Sequence, residues 1–363
     1  MRRLVRASPP EAISRIRFIL CDDMTHIIGH EHVLEMLSRT AMKDRPAHSY
    51  MFTGIEGIGK KMTGVRFAGL LNCEAPRQDT LGECSTCRRI ETGNHPDFYI
   101  LSSDRSSIRI EQVRQLQAYF KFPPLEGRWR IALIDDAHLM TRAAQNALLK
   151  TMEEPPTGRM IILVTSKPHL LLPTVRSRCR RIRFSPLLPK DVALILQREK
   201  KLSEEMSLIL ASLSGGSVSE SLRLITKSFT ELRIQILNAI THWDALGWCD
   251  ILDLSAKISR DQETARETIK ILGCWLRDLI YVKSLQDGSM VTNRDFIDIL
   301  RSMRDGVALS QIFRCYNELV RALELLESDY NVNRFLVTDV MLTRVARILD
   351  NQHTLSALQN QAH

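Results

Sequence analysis

A glycine-rich segment in the first third of the chain has the residue types and spacing that bind phosphate. The loop glycines are Gly54, Gly57 and Gly59. Lys60 follows them directly, and a short apolar strand pattern at residues 49–53 precedes them. Glycines let backbone N–H groups curl around phosphate oxygens, the lysine ammonium meets the terminal phosphates, and the dipole of the following helix adds positive charge. The sequence therefore predicts a phosphate loop for a nucleotide.

The residue after this lysine departs from the pattern that supports metal-assisted hydrolysis. A serine or threonine hydroxyl normally ligates Mg²⁺ there, but this chain has Lys61. An ammonium has three donors and no acceptor lone pair, so it cannot ligate a metal ion and its charge repels one. We therefore expect that the loop does not support efficient hydrolysis. The sequence leaves open whether the loop binds a nucleotide.

Acidic and hydroxyl residues end two further apolar strand patterns. Asp135 and Asp136 end the first, which has the form of a Walker B strand, and Thr165 and Ser166 end the second. Asp135 would face the water shell of Mg²⁺. Asp136 takes the place of the glutamate that polarises the attacking water and is one methylene shorter, a misplacement that costs on the order of 100-fold in rate. Thr165 or Ser166 would sense the γ-phosphate, although strand ends also favour such residues as loop caps and turn formers.

Three of the eight cysteines are close together in the chain, at Cys73, Cys84 and Cys87. In a chain of this size such clustering indicates metal binding more than disulfides. A structural zinc ion takes four ligands, and His95 is a candidate for the fourth. The alternative is three thiols left over from a lost site.

Composition places the chain among soluble globular proteins. Of 363 residues, 44% are hydrophobic and 25% are charged, so disorder is not favoured. The formal net charge of +8 mildly favours a nucleic-acid or acidic-protein partner. No apolar run reaches the roughly 18 residues needed to span a bilayer, and the N-terminus lacks a secretory pattern, so we expect a cytoplasmic protein.

Hydrophobic periodicity divides the chain into an α/β part and a helical part. Strand and helix patterns alternate over residues 25–185, which predicts a parallel sheet. Predicted strands cover 49–53, 97–101, 130–135 and 160–165 and include Ile182 and Phe184; predicted helices cover 29–40, 60–71, 110–120, 141–154, 229–240, 251–258 and 309–327. The predicted domains are an extension at 1–24, an α/β domain at 25–185 with a cysteine module at 73–95, a helical lid at 186–227, a helical domain at 228–350 and a tail at 351–363.

Several ordered motifs resemble bacterial clamp-loader subunits of the AAA+ fold family. They lie at residues 48–54, 93–97, 146–156 and 172–179. The resemblance covers about residues 26–185, and beyond 226 it rests on helical character and length. It implies an AAA+ P-loop domain with a parallel sheet, a helical lid and an all-α C-terminal collar through which such subunits form a ring.

The resemblance also implies a role for the motif Ser177-Arg178-Cys179. In that family the arginine is a finger that reaches across a subunit boundary to the γ-phosphate of a neighbour's ATP. A guanidinium suits this task because it stays charged and forks onto phosphate oxygens. The alternative is a basic loop of solvated arginines, namely Arg176, Arg178, Arg180, Arg181 and Arg183.

Within the family, gamma/tau subunits keep an intact phosphate loop, whereas delta-prime subunits often have a damaged loop but keep Ser-Arg-Cys. This sequence resembles the second kind, and Glu220 agrees because the family usually has a basic phosphate-sensing residue near that position. The resemblance implies gamma/tau and delta subunits, the sliding clamp and primed DNA as partners, with little or no ATPase activity of the chain alone. A gamma/tau-type ATPase, a stand-alone AAA+ DNA motor and an interaction protein with an idle Arg178 remain alternatives.

The cysteine cluster matches a zinc module of the same family in three of its four positions. The family's fourth cysteine comes three residues after the third, where this chain has Ile90. The resemblance therefore implies Zn²⁺ on Cys73, Cys84 and Cys87 with an incomplete ligand set. It also favours a structural role for His95 over zinc binding, because His95 belongs to the family motif at residues 93–97.

Overall fold

The chain folds into two compact units. The computed structural model describes residues 27–42, 46–74, 84–103, 107–225, 227–241, 248–285, 291–327 and 332–360. Of these described residues, the first unit holds those up to residue 55 together with those between 59 and 185, and the second holds Glu56–Ile58 and those from 186 onward. The predicted extension at 1–24 lies outside the described residues.

A five-stranded parallel sheet forms the centre of the first unit. The strands are β1 (Ser49–Thr53), β2 (Phe98–Leu101), β3 (Arg130–Ile134), β4 (Arg159–Thr165) and β5 (Arg180–Arg183). Their order is β2-β3-β4-β1-β5, and Tyr50 of β1 lies opposite Ile162 of β4 and Arg180 of β5. Because parallel strands end at the same edge, the loops after β3, β4 and β1 are neighbours. This sheet confirms the predicted α/β fold class.

Helices cover the buried strands, as continuous apolar runs predict. In the first unit they are α1 (Glu31–Met42), α2 (Lys60–Asn72), α3 (Ser85–Glu91), α4 (Ile110–Tyr119), α5 (Arg142–Glu153) and α6 (Pro173–Ser177). Helix α2 follows the phosphate loop and approaches β3 closely at Gly64, where an added Cβ would lie 2.7 Å from Cδ1 of Leu133. A larger residue there would require the Leu133 side chain or the helix to shift.

The described part of the second unit is helical. Its helices are α7 (Pro189–Lys200), α8 (Glu204–Leu213), α9 (Val218–Leu224), α10 (Lys227–Thr241), α11 (Trp248–Ile258), α12 (Gln262–Leu285), α13 (Ile297–Met303), α14 (Leu309–Glu327) and α15 (Arg334–Asn360). Trp275 of α12 is fully buried. The buried Asp278 accepts a hydrogen bond of 2.8 Å from the backbone N–H of Asn293, and Arg233 pairs with Asp295 at 2.8 Å. These contacts fix the segment before α13 against α10 and α12.

Local backbone geometry explains where the helices begin. The helix predicted from residue 29 begins at Glu31, because Gly29 and His30 have positive φ angles of 79° and 60°. Helix α5 is capped as predicted, since the Thr141 hydroxyl accepts a hydrogen bond from the backbone N–H of Ala144. Helix α14 has the predicted bounds.

Candidate nucleotide site and arginine loop

The sheet brings the predicted phosphate-handling residues to one edge. The phosphate loop follows β1, Asp135 and Asp136 follow β3, and Thr165 ends β4 with Ser166 next in the chain. Strands β3, β4 and β1 are adjacent, so these loops lie side by side. The roles assigned to the individual residues stay predictions, but their common location agrees with a nucleotide site derived from a P-loop fold.

Lys61 and Asp135 form an ion pair in this site. The Lys61 ammonium lies 2.9 Å from Oδ2 of Asp135, and the two side chains are 23% and 20% exposed. Asp135 is the carboxylate that would face a metal ion. The lysine that stands where a P-loop has its metal-ligating hydroxyl therefore also pairs with the acid expected to face the metal ion.

The Lys60 side chain contacts the backbone of its own phosphate loop. Its side chain is buried, and the ammonium donates to the backbone carbonyl of Gly54 at 2.9 Å and to that of Ile55. At the other end of the loop Gly59, with φ 88°, precedes the first turn of α2. A bound phosphate would have to replace the lysine's contacts with loop carbonyls by contacts with its own oxygens.

The tip of the phosphate loop packs within the second unit. Gly57 has φ 73°, and its carbonyl accepts a hydrogen bond of 2.8 Å from the backbone N–H of Val218, the first residue of α9. A Cβ at Gly57 would lie 2.5 Å from side-chain atoms of Ser217 and Ser219. Glycine is therefore required here both by the left-handed backbone and by the close approach of α9.

The hydroxyl and acidic residues after β3 and β4 make local contacts. Thr165 is buried, its hydroxyl lies 3.3 Å from Nδ1 of His138, and it accepts a hydrogen bond from the backbone N–H of Lys167. Asp136 has φ 47°, and its carbonyl accepts from the backbone N–H of Leu139 at 2.8 Å. His138 lies next to Thr165, and the hydrophobic periodicity of the sequence does not indicate this contact.

Glu220 belongs to a charged network between two helices of the second unit. Its carboxylate pairs with Arg223 at 2.8 Å and with Lys270 of α12. The hydrogen bond from Arg223 is the main reason that the pKa of Glu220 falls to about 2; burial opposes this shift, and Lys270 adds to it. Arg223 also contacts Glu267 at 3.2 Å. The acid at the expected phosphate-sensing position thus connects α9 to α12.

Arg178 lies at the surface just after α6. Its neighbours fix the backbone, because Val175 is fully buried and Cys179 packs against the core of the first unit. Burial raises the pKa of the Cys179 thiol to about 12, so this cysteine acts as an apolar anchor. The Arg178 guanidinium donates through Nη1 to the carbonyl of Thr174 at 3.0 Å and pairs through Nη2 with Oε1 of Glu153 at 2.8 Å. The arginine proposed from the motif is exposed and held at two points.

The predicted metal-binding thiols come together between α2 and α3. Cys73 follows α2, Cys84 caps α3, and Cys87 lies in its first turn. All three Sγ atoms lie within 4.8 Å of one another, and those of Cys73 and Cys84 are 3.8 Å apart. Burial raises the pKa of Cys87; burial acts in the same direction on Cys84, but a hydrogen bond from the backbone N–H of Cys87 and bonds from the neighbouring thiols lower its pKa overall. Three thiolates in this arrangement fit three corners of a tetrahedral zinc site.

The fourth corner of such a site is not supplied by Ile90 or His95. Ile90 is fully buried and apolar. Among the described residues, the group of mutually close ligand atoms comprises the three thiols alone. His95 instead accepts, through Nδ1, a hydrogen bond of 3.1 Å from the backbone N–H of Asp97. It is therefore a buried structural residue, as its place in the family motif implies.

Asp97 has a structural role that the sequence does not reveal. Its buried carboxylate accepts hydrogen bonds of 2.8 to 3.0 Å from the backbone N–H groups of residues 125–127. Burial acts to raise its pKa, but these hydrogen bonds and the charge of Arg130 lower it overall. The motif at residues 93–97 thus shapes the loop before β3 and has no evident part in phosphate chemistry.

Comparison with known families covers both units. A family model described as "DNA polymerase III, delta subunit" matches residues 29–188, and one described as "DNA polymerase III, delta subunit, C terminal" matches residues 227–347. The delta′ subunit of Escherichia coli DNA polymerase III is 28% identical over 314 residues, which cover 85% of this chain and 92% of that protein. The delta′ subunit of Bacillus subtilis is 35% identical over 206 residues, or 56% of this chain and 62% of that one. The chain belongs to the delta-prime family of DNA polymerase III clamp-loader subunits.

Tau/gamma subunits of DNA polymerase III also match this chain. The tau/gamma subunit of Haemophilus influenzae is 33% identical over 230 residues, which are 62% of this chain and 33% of that protein. The match thus spans less than two thirds of the tau/gamma relative and of the B. subtilis delta′ subunit.

Among solved structures, a gamma subunit-related protein of Thermotoga maritima has 17% identity and a TM-score of 0.41, covering 87% of this chain and 99% of that one. This overall similarity is low, and the family assignment rests on the sequence matches. In the described part of the chain, no helix has the length and apolar character to cross a membrane.

Proposed function

We propose that this delta-prime chain is a scaffold of a cytoplasmic DNA polymerase III clamp loader and supplies Arg178 in trans to ATP held by a neighbouring gamma/tau subunit. The observation that carries the proposal is a contrast between two sites on one unit. Lys61 and Asp135, the two residues at the position where a P-loop would hold Mg²⁺, pair with each other, whereas Arg178 is 36% exposed at the surface.

The proposed role of Arg178 is electrostatic. As the neighbour's γ-phosphoryl group is transferred to water, negative charge is spread over its oxygens. A guanidinium already aimed at that charge stabilises the transition state more than the ground state and needs no proton transfer. Arg178 has the required exposure, and its backbone is fixed by the buried Val175 and Cys179.

The chain's own site is proposed to contribute little or no hydrolysis. Lys61 supplies no lone pair for Mg²⁺ and neutralises Asp135 at 2.9 Å. Lys60 donates to the loop carbonyl of Gly54 at 2.9 Å. The same features oppose a gamma/tau-type ATPase or a stand-alone DNA motor, either of which would show Mg²⁺-dependent turnover by the chain alone.

Helix α14 offers a surface for the proposed collar. Four exposed apolar side chains recur on one face of it at three- and four-residue spacing: Leu309, Phe313, Tyr316 and Val320. A different face, which includes Ile312 and Leu319, is buried in the second unit. We therefore propose that the exposed face packs against the gamma/tau and delta subunits. The assembled ring acts on the sliding clamp and contacts primed DNA through phosphates without sequence preference.

The cysteine cluster is proposed to hold Zn²⁺. The support is the approach of the Cys73, Cys84 and Cys87 thiols within 4.8 Å of one another. Bound zinc would join α2 to α3 through these ligands and would stabilise that part of the fold. A tetrahedral ion would complete its coordination with a ligand other than Ile90 or His95.

The test of the proposal uses the full complex reconstituted with gamma/tau, delta, the sliding clamp and primed DNA. We expect Arg178→Ala to lower ATP hydrolysis at the neighbouring site by on the order of a thousandfold while the complex still assembles. Arg176→Ala is the matched control, because Arg176 is an exposed arginine in the last turn of α6, two residues before Arg178. Assembly with an unchanged rate for Arg178→Ala would leave the chain as a passive scaffold and refute the finger.

A further inference from the structure

Glu153 is the one acidic side chain that the structure shows paired with Arg178 within the described residues. It is the last residue of α5, and its Oε1 lies 2.8 Å from Nη2 of Arg178. The carbonyl of Thr174 holds Nη1 at 3.0 Å. One end of the guanidinium is thus fixed by a side chain of α5 and the other by the backbone of α6.

The two helices that hold the Arg178 guanidinium are anchored in the core of the first unit. Helix α5 is anchored by the buried side chains of Leu148 and Met152, and α6 is anchored by Val175. An unrestrained arginine samples many rotamers, and the free-energy cost of ordering it falls on the step that uses it. Holding the arginine in advance removes that cost. It also helps to meet the requirement that catalytic groups be placed within a fraction of an ångström.

The pair has little value for folding. The Glu153 and Arg178 side chains are 48% and 36% exposed, and solvent screens such surface pairs so that they contribute little stability. The two observed contacts engage two of the five N–H donors of the guanidinium, so donors remain for phosphate oxygens. The arrangement therefore fits orientation better than support of the fold.

We propose that Glu153 is a positioning residue that orients the Arg178 guanidinium for the neighbour's γ-phosphate. This inference rests on the proposed function of Arg178. Glu153 touches no nucleotide; it acts by limiting the rotation of the arginine side chain. Thr174 contributes a backbone carbonyl, so of the two groups that hold Arg178 only the Glu153 carboxylate can be removed by a substitution.

The test compares four complexes that contain Glu153→Gln, Glu154→Gln, Arg178→Ala or the double variant Glu153→Gln with Arg178→Ala. Glutamine keeps the size of the side chain and removes its charge. Glu154 is the matched control, because it is the adjacent exposed glutamate and the C-cap residue of the same helix. Measured quantities are kcat and KM for ATP in the assembled loader, together with the unfolding midpoint of each free chain.

We expect Glu153→Gln to lower kcat by about tenfold with KM, assembly and unfolding midpoint unchanged. Glu154→Gln should match the wild type, and Glu153→Gln should have no further effect once Arg178 is alanine.

Suppose that Arg178→Ala lowers kcat. If Glu153→Gln then leaves kcat unchanged, raises it, or lowers it equally whether Arg178 is present or replaced by alanine, the positioning role is overturned and the finger stands. Positioning is also overturned if Glu154→Gln lowers kcat as much as Glu153→Gln does. If Arg178→Ala itself has no effect, the proposed function fails and this inference fails with it.

Discussion

At the scale of single residues, Lys61 is the substitution that most changes the chemistry of the chain's own site. A hydroxyl at this position would leave Asp135 available to the water shell of a metal ion. The ammonium instead pairs with that carboxylate at 2.9 Å. Lys61 thus lacks the lone pair of a metal ligand and pairs with the carboxylate that we propose would face the metal ion.

Restoring the hydroxyl should restore metal dependence. We expect Lys61→Thr to bind ATP at least about tenfold more tightly in Mg²⁺ than in chelator, because the hydroxyl and a freed Asp135 can then act on the ion. Wild-type protein should show no such difference in calorimetric titration. Lys61→Ala is the control, since it frees Asp135 without supplying a ligand. A metal-dependent affinity already present in the wild type would contradict this account of Lys61.

The sequence showed which positions depart from the phosphate-binding pattern, but it did not predict the residues with which those side chains form ion pairs. Lys61 and Glu220 depart from a pattern whose chemistry is known, so each departure could be interpreted directly. Asp135 and Lys270, with which they pair, are distant in the chain and come near only in the folded protein. The Glu153–Arg178 contact was likewise hidden, because surface ion pairs leave no periodic signal.

At the scale of elements, the Glu220 network joins α9 to α12. The carboxylate contacts Arg223 and Lys270, and its pKa of about 2 lies below the ordinary value of 4.5. The folded state therefore binds fewer protons than the unfolded chain between these values. The stabilisation is fully present above about pH 4.5 and is lost as the pH falls towards 2.

Removing this charge should weaken the second unit. We expect Glu220→Gln to lower its free energy of unfolding by about 1 kcal/mol at pH 7, a modest value because the network is partly open to solvent. The difference from wild type should shrink at pH 3. Denaturant titrations at the two pH values measure it, with the exposed Asp253→Asn of α11 as control. Equal loss at both pH values would show that the carboxylate charge is not the cause.

The contact between α2 and α3 gives a second prediction at this scale. We expect the purified chain to retain about one zinc ion, and Cys84→Ser to lower its zinc affinity at least about tenfold because one of three thiolates is lost. Metal analysis after dialysis measures this. Cys249→Ser is the control, since Cys249 is exposed on α11. Absence of zinc from the wild type, or equal zinc in both variants, would refute the metal site.

Element types were predictable to different degrees. The buried strands and α14 emerge from periodicity, because an apolar run of strand length and a long repeated apolar face each favour one type of element. The short helix α3 was not predicted, since its seven residues carry too little pattern and its start is set by the Cys84 cap. The strand order could not be derived from periodicity, because it depends on contacts between distant segments.

At the scale of the whole molecule, the first unit keeps the architecture of a nucleotide-binding fold. Within its candidate site, however, Lys61 and Asp135 pair with each other. The family models match both this unit and the helical unit that follows it. We infer that the fold is used for its surfaces, namely the exposed arginine after α6 and the exposed face of α14. On this proposal the chain contributes to hydrolysis only at its boundary with a neighbouring subunit.

The most direct test asks whether the chain acts on its own ATP or on that of its neighbour. Clamp-stimulated ATP hydrolysis is measured for loaders that contain the wild-type chain, Lys60→Ala or Arg178→Ala. The account predicts that Lys60→Ala leaves the rate unchanged and that Arg178→Ala lowers it by on the order of a thousandfold at the neighbouring site. Loss of activity with Lys60→Ala and an unchanged rate with Arg178→Ala would contradict it.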